Sequence, residues 1–516
     1  MKVFEVTENN CWKFLIVILA FALFLRLYFQ SGIIGSGDVF HTIYAHQIVN
    51  GSYHPTPQDV HYSTRIAFIY PMAFFFKIFG VNEASSYLFS LITSLLGIPL
   101  IYFLGTFFFD RKIGILSAFL LSFYPLDVIN ASAALPDIPH SFFMGVSILL
   151  FFVGRNQALT FKKVFSYLAC GICIGIAYYM KTSALLVFVF LLFFGLYELL
   201  IIKRNLKFIK RFEWNYLFVF LGFVIAYLLG LALIYHASGD PFLSEKQFDN
   251  AYTISQEKLY NYNSGIKLLG RLFLHFPFMM LTNYNFGLFF ALVFASSFFY
   301  LYLTAKGKSI KKNLFIVILW LYSMLAYINF GPTALSFSNY LLLPATPRYL
   351  TVLTYPSLLL AATFISEKKF SKYAKASIFI LLLTSLLLIG FYPDRNLRIN
   401  TKKAHDFFSS ENKLNITIYM DAPSYYSYEF YSGYMDLENV ALYIRGNEQG
   451  GTGSTILANL SQVKDSYVLI DWSMINSIPK NYLWVFPDEI KNPPKSWKML
   501  REIKNPSGNA YIFYAP

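Results

Sequence analysis

Residues 131–143 read "ASAALPDIPHSFF", and Asp137 stands there between Pro136 and Pro139 with no basic residue to pair with it. A second isolated acid, Asp38, sits in "GSGDVFH". An unpaired carboxylate at membrane depth costs on the order of 2.5–3.5 kcal/mol, so acids that persist there usually face a cavity and act in it. The structural alternatives are a helix N-cap for Asp137, with Pro139 harmless in the first turn, and a loop-end cap after Gly37 for Asp38. Cations near the same side are few: Arg65, Lys181 in "YYMKTS", Arg348 in "PATPRYL", and Lys246, Lys258, Lys267 and Arg271 in one loop. Arg348, followed by Tyr349, opens an apolar run where positive charge is disfavoured; its guanidinium fork suits a phosphate there, or snorkels to headgroups. His41, His46, His54 and His61 share one polar loop with Asp59. Their spacing matches no metal-ligand motif, so hydrogen bonds to substrate or solvent suit them better. The pattern assigns no cofactor and leaves a divalent ion open.

The elements that must position these groups are membrane spans. Of 516 residues, 56% are hydrophobic, 20% aromatic and only 14% charged, where a soluble domain carries roughly a quarter charged. Mean hydropathy is +0.49. At about 20 apolar residues per crossing, eleven spans fall near 13–30, 84–108, 113–130, 134–153, 164–180, 184–202, 214–236, 276–304, 313–330, 348–365 and 373–392. The first lacks a small-residue cleavage site and is followed by others, so it reads as a retained anchor. Loops alternate in charge. One set holds "DRK" (110–112), "FKK" (161–163), "KRNLKFIKR" (203–211), "KGKSIKK" (306–312) and "EKKFSKYAK" (367–375); the set at 31–64, 131–140 and 331–347 has no Lys or Arg. By the positive-inside rule the basic set is cytoplasmic, which predicts a plasma-membrane protein with its N-terminus inside and everything after about 393 outside. The net charge of +14 is then a topology signal, and nucleic acid drops out as a partner. Cys11, Cys170 and Cys173 all lie in apolar runs, which excludes a disulfide framework. "CGIC", beside Gly171 and Gly175, reads as helix packing.

Segment 65–80, "RIAFIYPMAFFFKIFG", is short and interrupted by Pro71. If it crossed, every later loop would change sides, so it is predicted to lie along the outer interface or re-enter. "VFHTIYAHQIVNG" before it predicts a short amphipathic helix on the same surface. After 393 the apolar runs shorten to "NITIYMDA", "NVALYIRG", "SYVLIDW", "KMLREI" and "AYIFYAP", which read as strands, with "AHDFFSS" and "SYYSYEFYSG" as helices. The expected architecture is an all-α polytopic membrane domain at 1–392, with outer loops at 31–83 and 237–275, followed by a small extracytoplasmic α/β domain at 393–516.

"FLRLYFQSGIIGSGD", then "YAHQIVNGSYHP", then the long run from "IYPMAFFFKIFG" through "FYPLDVINASAALPD", together resemble the N-terminal part of the GT-C membrane glycosyltransferases. The branch most similar is protein mannosyltransferase-like and lipopolysaccharide-sugar transferase-like. The resemblance runs over about residues 13–180 and, more loosely, 340–365, where "PRYL" opens an outer-side span. The Trp-Trp-Asp signature of the oligosaccharyltransferase branch is absent. The resemblance implies a transferase that takes its sugar from a polyprenyl-phosphate donor at the outer face, with a glycan, glycolipid or protein as acceptor and membrane lipid around it. It makes Asp38 the general base, Asp137 the second acid, and Arg348, with Tyr349, the holder of the lipid phosphate. Lys181, Arg65, His41 and His61 are further substrate-binding candidates. There is one departure: many relatives carry an Asp-Glu pair in the first loop, and here Asp38 is flanked by Gly37 and Val39.

The implied chemistry is direct displacement with inversion, a carboxylate taking the acceptor's proton while cations stabilise the departing phosphate. The alternative is a transporter or flippase of a lipid-linked saccharide, which would place ionisable groups in mid-span, with paired repeats and interrupted helices. Here the acids lie at span ends and no repeat is visible. The enzyme reading requires Asp38, Asp137 and Arg348 to converge on one outward cavity.

Overall fold

The computed structural model describes residues 8–33, 36–158, 160–202, 214–247, 269–270, 273–274, 276–283, 285–306, 311–331, 346–367, 373–391, 399–410, 416–434, 440–442, 463–473, 492–505 and 508–516. Long apolar runs leave the backbone no partner but itself in a bilayer, so they fold as helices. In chain order these are α1 (Glu8–Tyr28), α2 (Ser36–Val49), α3 (Ile66–Phe79), α4 (Glu83–Phe108), α5 (Arg111–Ser122), α6 (Pro125–Asn130), α7 (Asp137–Asn156), α8 (Thr160–Tyr178), α9 (Leu186–Tyr197), α10 (Leu217–Ser238), α11 (Phe276–Thr282), α12 (Phe289–Ala305), α13 (Lys312–Phe330), α14 (Thr354–Ser366), α15 (Ala374–Gly390), α16 (Ile399–Ser410) and α17 (Ala422–Tyr431). A 3₁₀ turn, Thr182–Leu185, leads into α9, and another, Pro347–Leu353, into α14.

Among the described residues, eight helices are long and apolar enough to cross a membrane, and each matches an expected span. The other three of the eleven differ. The stretch 113–130 is broken, because Pro125 opens α6 and holds Tyr124 extended at its N-cap. Arg26 of α1 meets the carbonyls at this break: its guanidinium donates to Ser122 O (3.0 Å) and Leu121 O (3.4 Å) and pairs with Asp127 of α6. Ser94 of α4 also donates to Asp127. The stretch 276–304 divides into α11 and α12, separated at Gly287, whose φ of +55° only glycine adopts easily. The third, at 373–392, is α15. It and α12 have 17 residues each, about 25 Å of helix, at the short end for a bilayer.

As expected, 65–80 does not form a long span. It is the 14-residue α3, with Ile66, Phe68, Ile69, Met72, Ala73 and Phe76 on its buried face, and α2 precedes it as a helix. The "CGIC" stretch packs, as read from sequence. A Cβ on Gly171 of α8 would meet Val219 O at 2.0 Å, and one on Gly222 of α10 would meet Leu168 O at 2.1 Å. The two helices interlock through missing side chains.

The C-terminal residues form a five-stranded sheet: β1 (Ile418–Met420), β2 (Val440–Leu442), β3 (Ser466–Asp471), β4 (Lys498–Ile503) and β5 (Ala510–Ala515). Its order is β2-β1-β3-β5-β4, with β1 parallel to β2 and β3, and β5 antiparallel to β3 and β4. Among the described residues, all five strands and the helices α16 and α17 fall within the sequence stretches predicted for them or overlap them. Phe408 and Tyr428 from the helices pack against Ile418, Leu469 and Ile512 from the sheet. This unit rests on the membrane domain, where Lys402 of α16 pairs with Glu83 of α4 (2.6 Å) beside a crevice of about 310 Å³.

Candidate active site

Asp137 is the first residue of α7, after Pro136, and it does not cap that helix. Its partner comes from 44 residues away: Lys181 Nζ lies 2.7 Å from Asp137 Oδ1, with both side chains almost fully buried. Lys181 precedes the 3₁₀ turn into α9 in extended backbone, so its side chain leaves the helical stack towards α7. The same ammonium sits 3.9 Å from the centre of the Tyr349 ring, a cation–π contact. Tyr349 and Arg348 are held on the 3₁₀ turn before α14, which Pro347 begins. Ser141 of α7 donates to Thr351 O (2.8 Å), pinning that turn against the helix of Asp137. Arg348 lies within electrostatic reach of Asp137, Tyr62 and Tyr349.

Arg65 enters from the other side, at the start of α3. Its guanidinium stacks 4.6 Å above the Tyr62 ring and donates to His61 Nε2 (3.2 Å) and, at 3.5 Å, to His41 Nε2. His41 Nδ1 in turn donates to Ala134 O (3.1 Å), three residues before Asp137. Both imidazoles therefore accept from arginine, which requires neutral rings. Burial and the adjacent Arg65 charge push His41 well below its usual range, and the same causes take His61 down to about 3. Lys181 is pulled to about 8 by burial and by the like charges of Arg348 and Arg65, against the opposing pull of Asp137.

Asp38 is buried in the first turn of α2, one turn before His41, with Val39 N–H on its Oδ1 (3.1 Å). A helix N-terminus favours a carboxylate. Its neighbour Gly37 abuts Tyr62: a Cβ there would lie 3.5 Å from the hydroxyl. The structure thus gathers Asp137, Lys181, Arg348, Tyr349, Arg65, His41 and His61, and sets the helix of Asp38 against the tyrosine at their centre. The remaining cations lie elsewhere. Lys246 pairs with Asp240 on an exposed turn, and Lys258, Lys267 and Arg271 fall outside the described residues. His46 bonds Asn50 and His54 is exposed. Among the described residues no group of three or more His, Cys, Asp or Glu is placed to share a metal ion.

Two further groups were not singled out from sequence. Tyr62 touches Arg65, His41, His61 and Gly37; its one signal was a position three residues before Arg65. His140, a turn after Asp137, donates Nδ1–H to Ala177 O (3.1 Å) and accepts at Nε2 from Ser183 (3.0 Å), bracing the segment that carries Lys181.

Residues 14–235 match the family described as dolichyl-phosphate-mannose-protein mannosyltransferase. No curated protein matches the chain. Among solved structures, it is similar to ArnT from Cupriavidus metallidurans bound to undecaprenyl phosphate, with a TM-score of 0.61, 12% identity, and coverage of 98% of this chain and 99% of that one. It is also similar to the oligosaccharyltransferase of Archaeoglobus fulgidus, solved with zinc and sulfate, with a TM-score of 0.55, 14% identity, and coverage of 96% and 72%. AglB of the same organism, in complex with an inhibitory peptide and a dolichol-phosphate, gives a TM-score of 0.55 at 12% identity over 98% and 74%.

Proposed function

We propose that this chain is a membrane glycosyltransferase working from a lipid-phosphate sugar donor, and that Arg348, Arg65 and Lys181 hold the donor phosphate while Asp38 deprotonates the acceptor. The family match over residues 14–235 and the fold shared with ArnT support the first part. One observation carries the reading: three buried or half-buried cations close around a single buried acid, Asp137, while the two histidines between them are neutral. Cations withdrawn from water without matching anions carry a penalty of several kcal/mol each, which a bound anion relieves. A phosphate diester on a lipid tail supplies that anion. The ArnT neighbour's undecaprenyl phosphate and AglB's dolichol-phosphate support the same ligand class.

The acceptor hydroxyl, on a glycan, glycolipid or protein, attacks the anomeric carbon and yields its proton to Asp38. The anomeric C–O bond breaks, and its electron pair stays on the phosphate oxygen. Phosphate charge therefore grows as the bond breaks, where the three cations already point. With one base and no carboxylate nucleophile, the sugar inverts. Asp137 holds Lys181 in place. The loop charges support an extracytoplasmic site in the plasma membrane, with the N-terminus in the cytoplasm and the sheet domain outside.

Two variants of the full-length protein test this. Asp38→Asn should lower transfer by about 10²–10⁴-fold while undecaprenyl phosphate still binds; retained turnover removes Asp38 as base. Arg348→Ala should weaken undecaprenyl phosphate binding by about tenfold or more. Unchanged affinity removes the phosphate assignment.

A further inference from the structure

Helix α2 carries Asp38 and His41, and one turn beyond Asp38 it meets the sheet domain. Tyr434, just past α17, bonds Thr42 of α2 through its hydroxyl at 2.6 Å. Thr42 spends its own proton on Val39 O (2.7 Å), so the tyrosine donates. The Tyr434 ring also stacks on the His46 imidazole, with centroids 4.5 Å apart and 24° between planes. Tyr426 lies 5.3 Å from the Phe40 ring, and Phe430 packs with Val39, Ala45 and Ala134.

The backbone that delivers this tyrosine is unusual. α17 ends with Gly433 N–H on Phe430 O (3.0 Å) and Tyr434 N–H on Glu429 O (2.9 Å), a paired closure that needs a left-handed residue at Gly433, whose φ is +71°. Tyr434 itself also has a φ of +60°, a conformation that disfavours a bulky side chain. Strain of this kind persists where the surroundings over-determine it. Here the surroundings are Thr42 and His46, one and two turns beyond Asp38 on its own helix.

We propose that Tyr434 is a positioning residue through which the C-terminal domain sets the placement of α2, and with it the base at Asp38; this rests on Asp38 being that base. Lys181, Arg65 and Arg348 stand on other elements, so loss of the clamp should slow transfer and spare phosphate binding.

The test uses full-length Tyr434→Phe, Tyr434→Ala, Thr42→Val and the Thr42→Val/Tyr434→Phe pair. Transfer is read as surface glycan by mass spectrometry in cells lacking the native copy, and binding with undecaprenyl phosphate on purified protein. Tyr434→Ala should lower product about tenfold, with affinity within twofold of wild type and faster amide exchange confined to 36–49. Tyr434→Phe and Thr42→Val should each lose less, and the pair no more than the worse single variant. Wild-type product from Tyr434→Ala, or affinity falling in step with product, overturns the positioning role. So does exchange that spreads through the membrane helices. Full product from Asp38→Asn instead overturns the reading beneath it, and the clamp's purpose with it.

Discussion

Lys181 answers to opposing neighbours: Asp137 keeps it charged, while burial and two guanidinia pull its ammonium to about 8. In the proposed function the charged form is the one that binds phosphate, and it is lost as pH rises through that value. Affinity for undecaprenyl phosphate should therefore fall between about pH 7.5 and 9.5, by roughly tenfold for one charge-assisted hydrogen bond. Lys181→Arg, which stays protonated, should flatten that limb; a wild-type affinity constant to pH 9.5 removes lysine from the phosphate site. At this scale the sequence was informative wherever a charge had no local reason to exist. Asp137 drew notice because its own stretch holds no base, and its partner was Lys181, itself out of place between two apolar runs. Tyr62 escaped because it is one of 39 tyrosines, and its importance lies in touching Arg65, His61 and Gly37 together, which chain order does not express. Asp137 as a helix cap was a fair local reading that the fold replaced with an ion pair.

The break between α5 and α6 shows what an element asks of its neighbours. Arg26 fills it, donating to two carbonyls at the break and pairing with Asp127 while fully buried. Removing one partner leaves the other charge stranded, so Arg26→Met or Asp127→Leu should cost about 3–5 kcal/mol, and Arg26→Met/Asp127→Leu less than their sum. Thermal unfolding in detergent reads this; additive losses would mean the pair is not coupled. A ruler of apolar length passed straight through 113–130, because hydrophobicity averages over Pro125 while the backbone does not. The same ruler worked for α4 and α7, whose prolines, Pro99 and Pro139, leave one helix each. In the C-terminal domain short runs bounded by Gly, Asn and Pro identified all five strands, but their order β2-β1-β3-β5-β4 depends on pairings between distant segments.

For the whole molecule, the charge alternation of the loops makes a prediction of sidedness. A cysteine at Ser409, exposed on α16, should react with an impermeant maleimide added to intact cells, and one at Lys162, exposed at the start of α8, only after permeabilisation. The reverse pattern would turn the protein over. The native Cys11 and Cys170 are buried but Cys173 is only partly so, so both introduced cysteines are placed in a Cys173→Ser background, which serves as the blank. The two 17-residue helices, α12 and α15, have a consequence of their own. At about 25 Å they undershoot a typical hydrocarbon layer of roughly 30 Å, and lipid beside them must thin or tilt to meet their ends. Transfer in vesicles of short-chain phospholipid should then exceed transfer in long-chain ones, and equal rates would show that these helix ends make no demand on bilayer thickness.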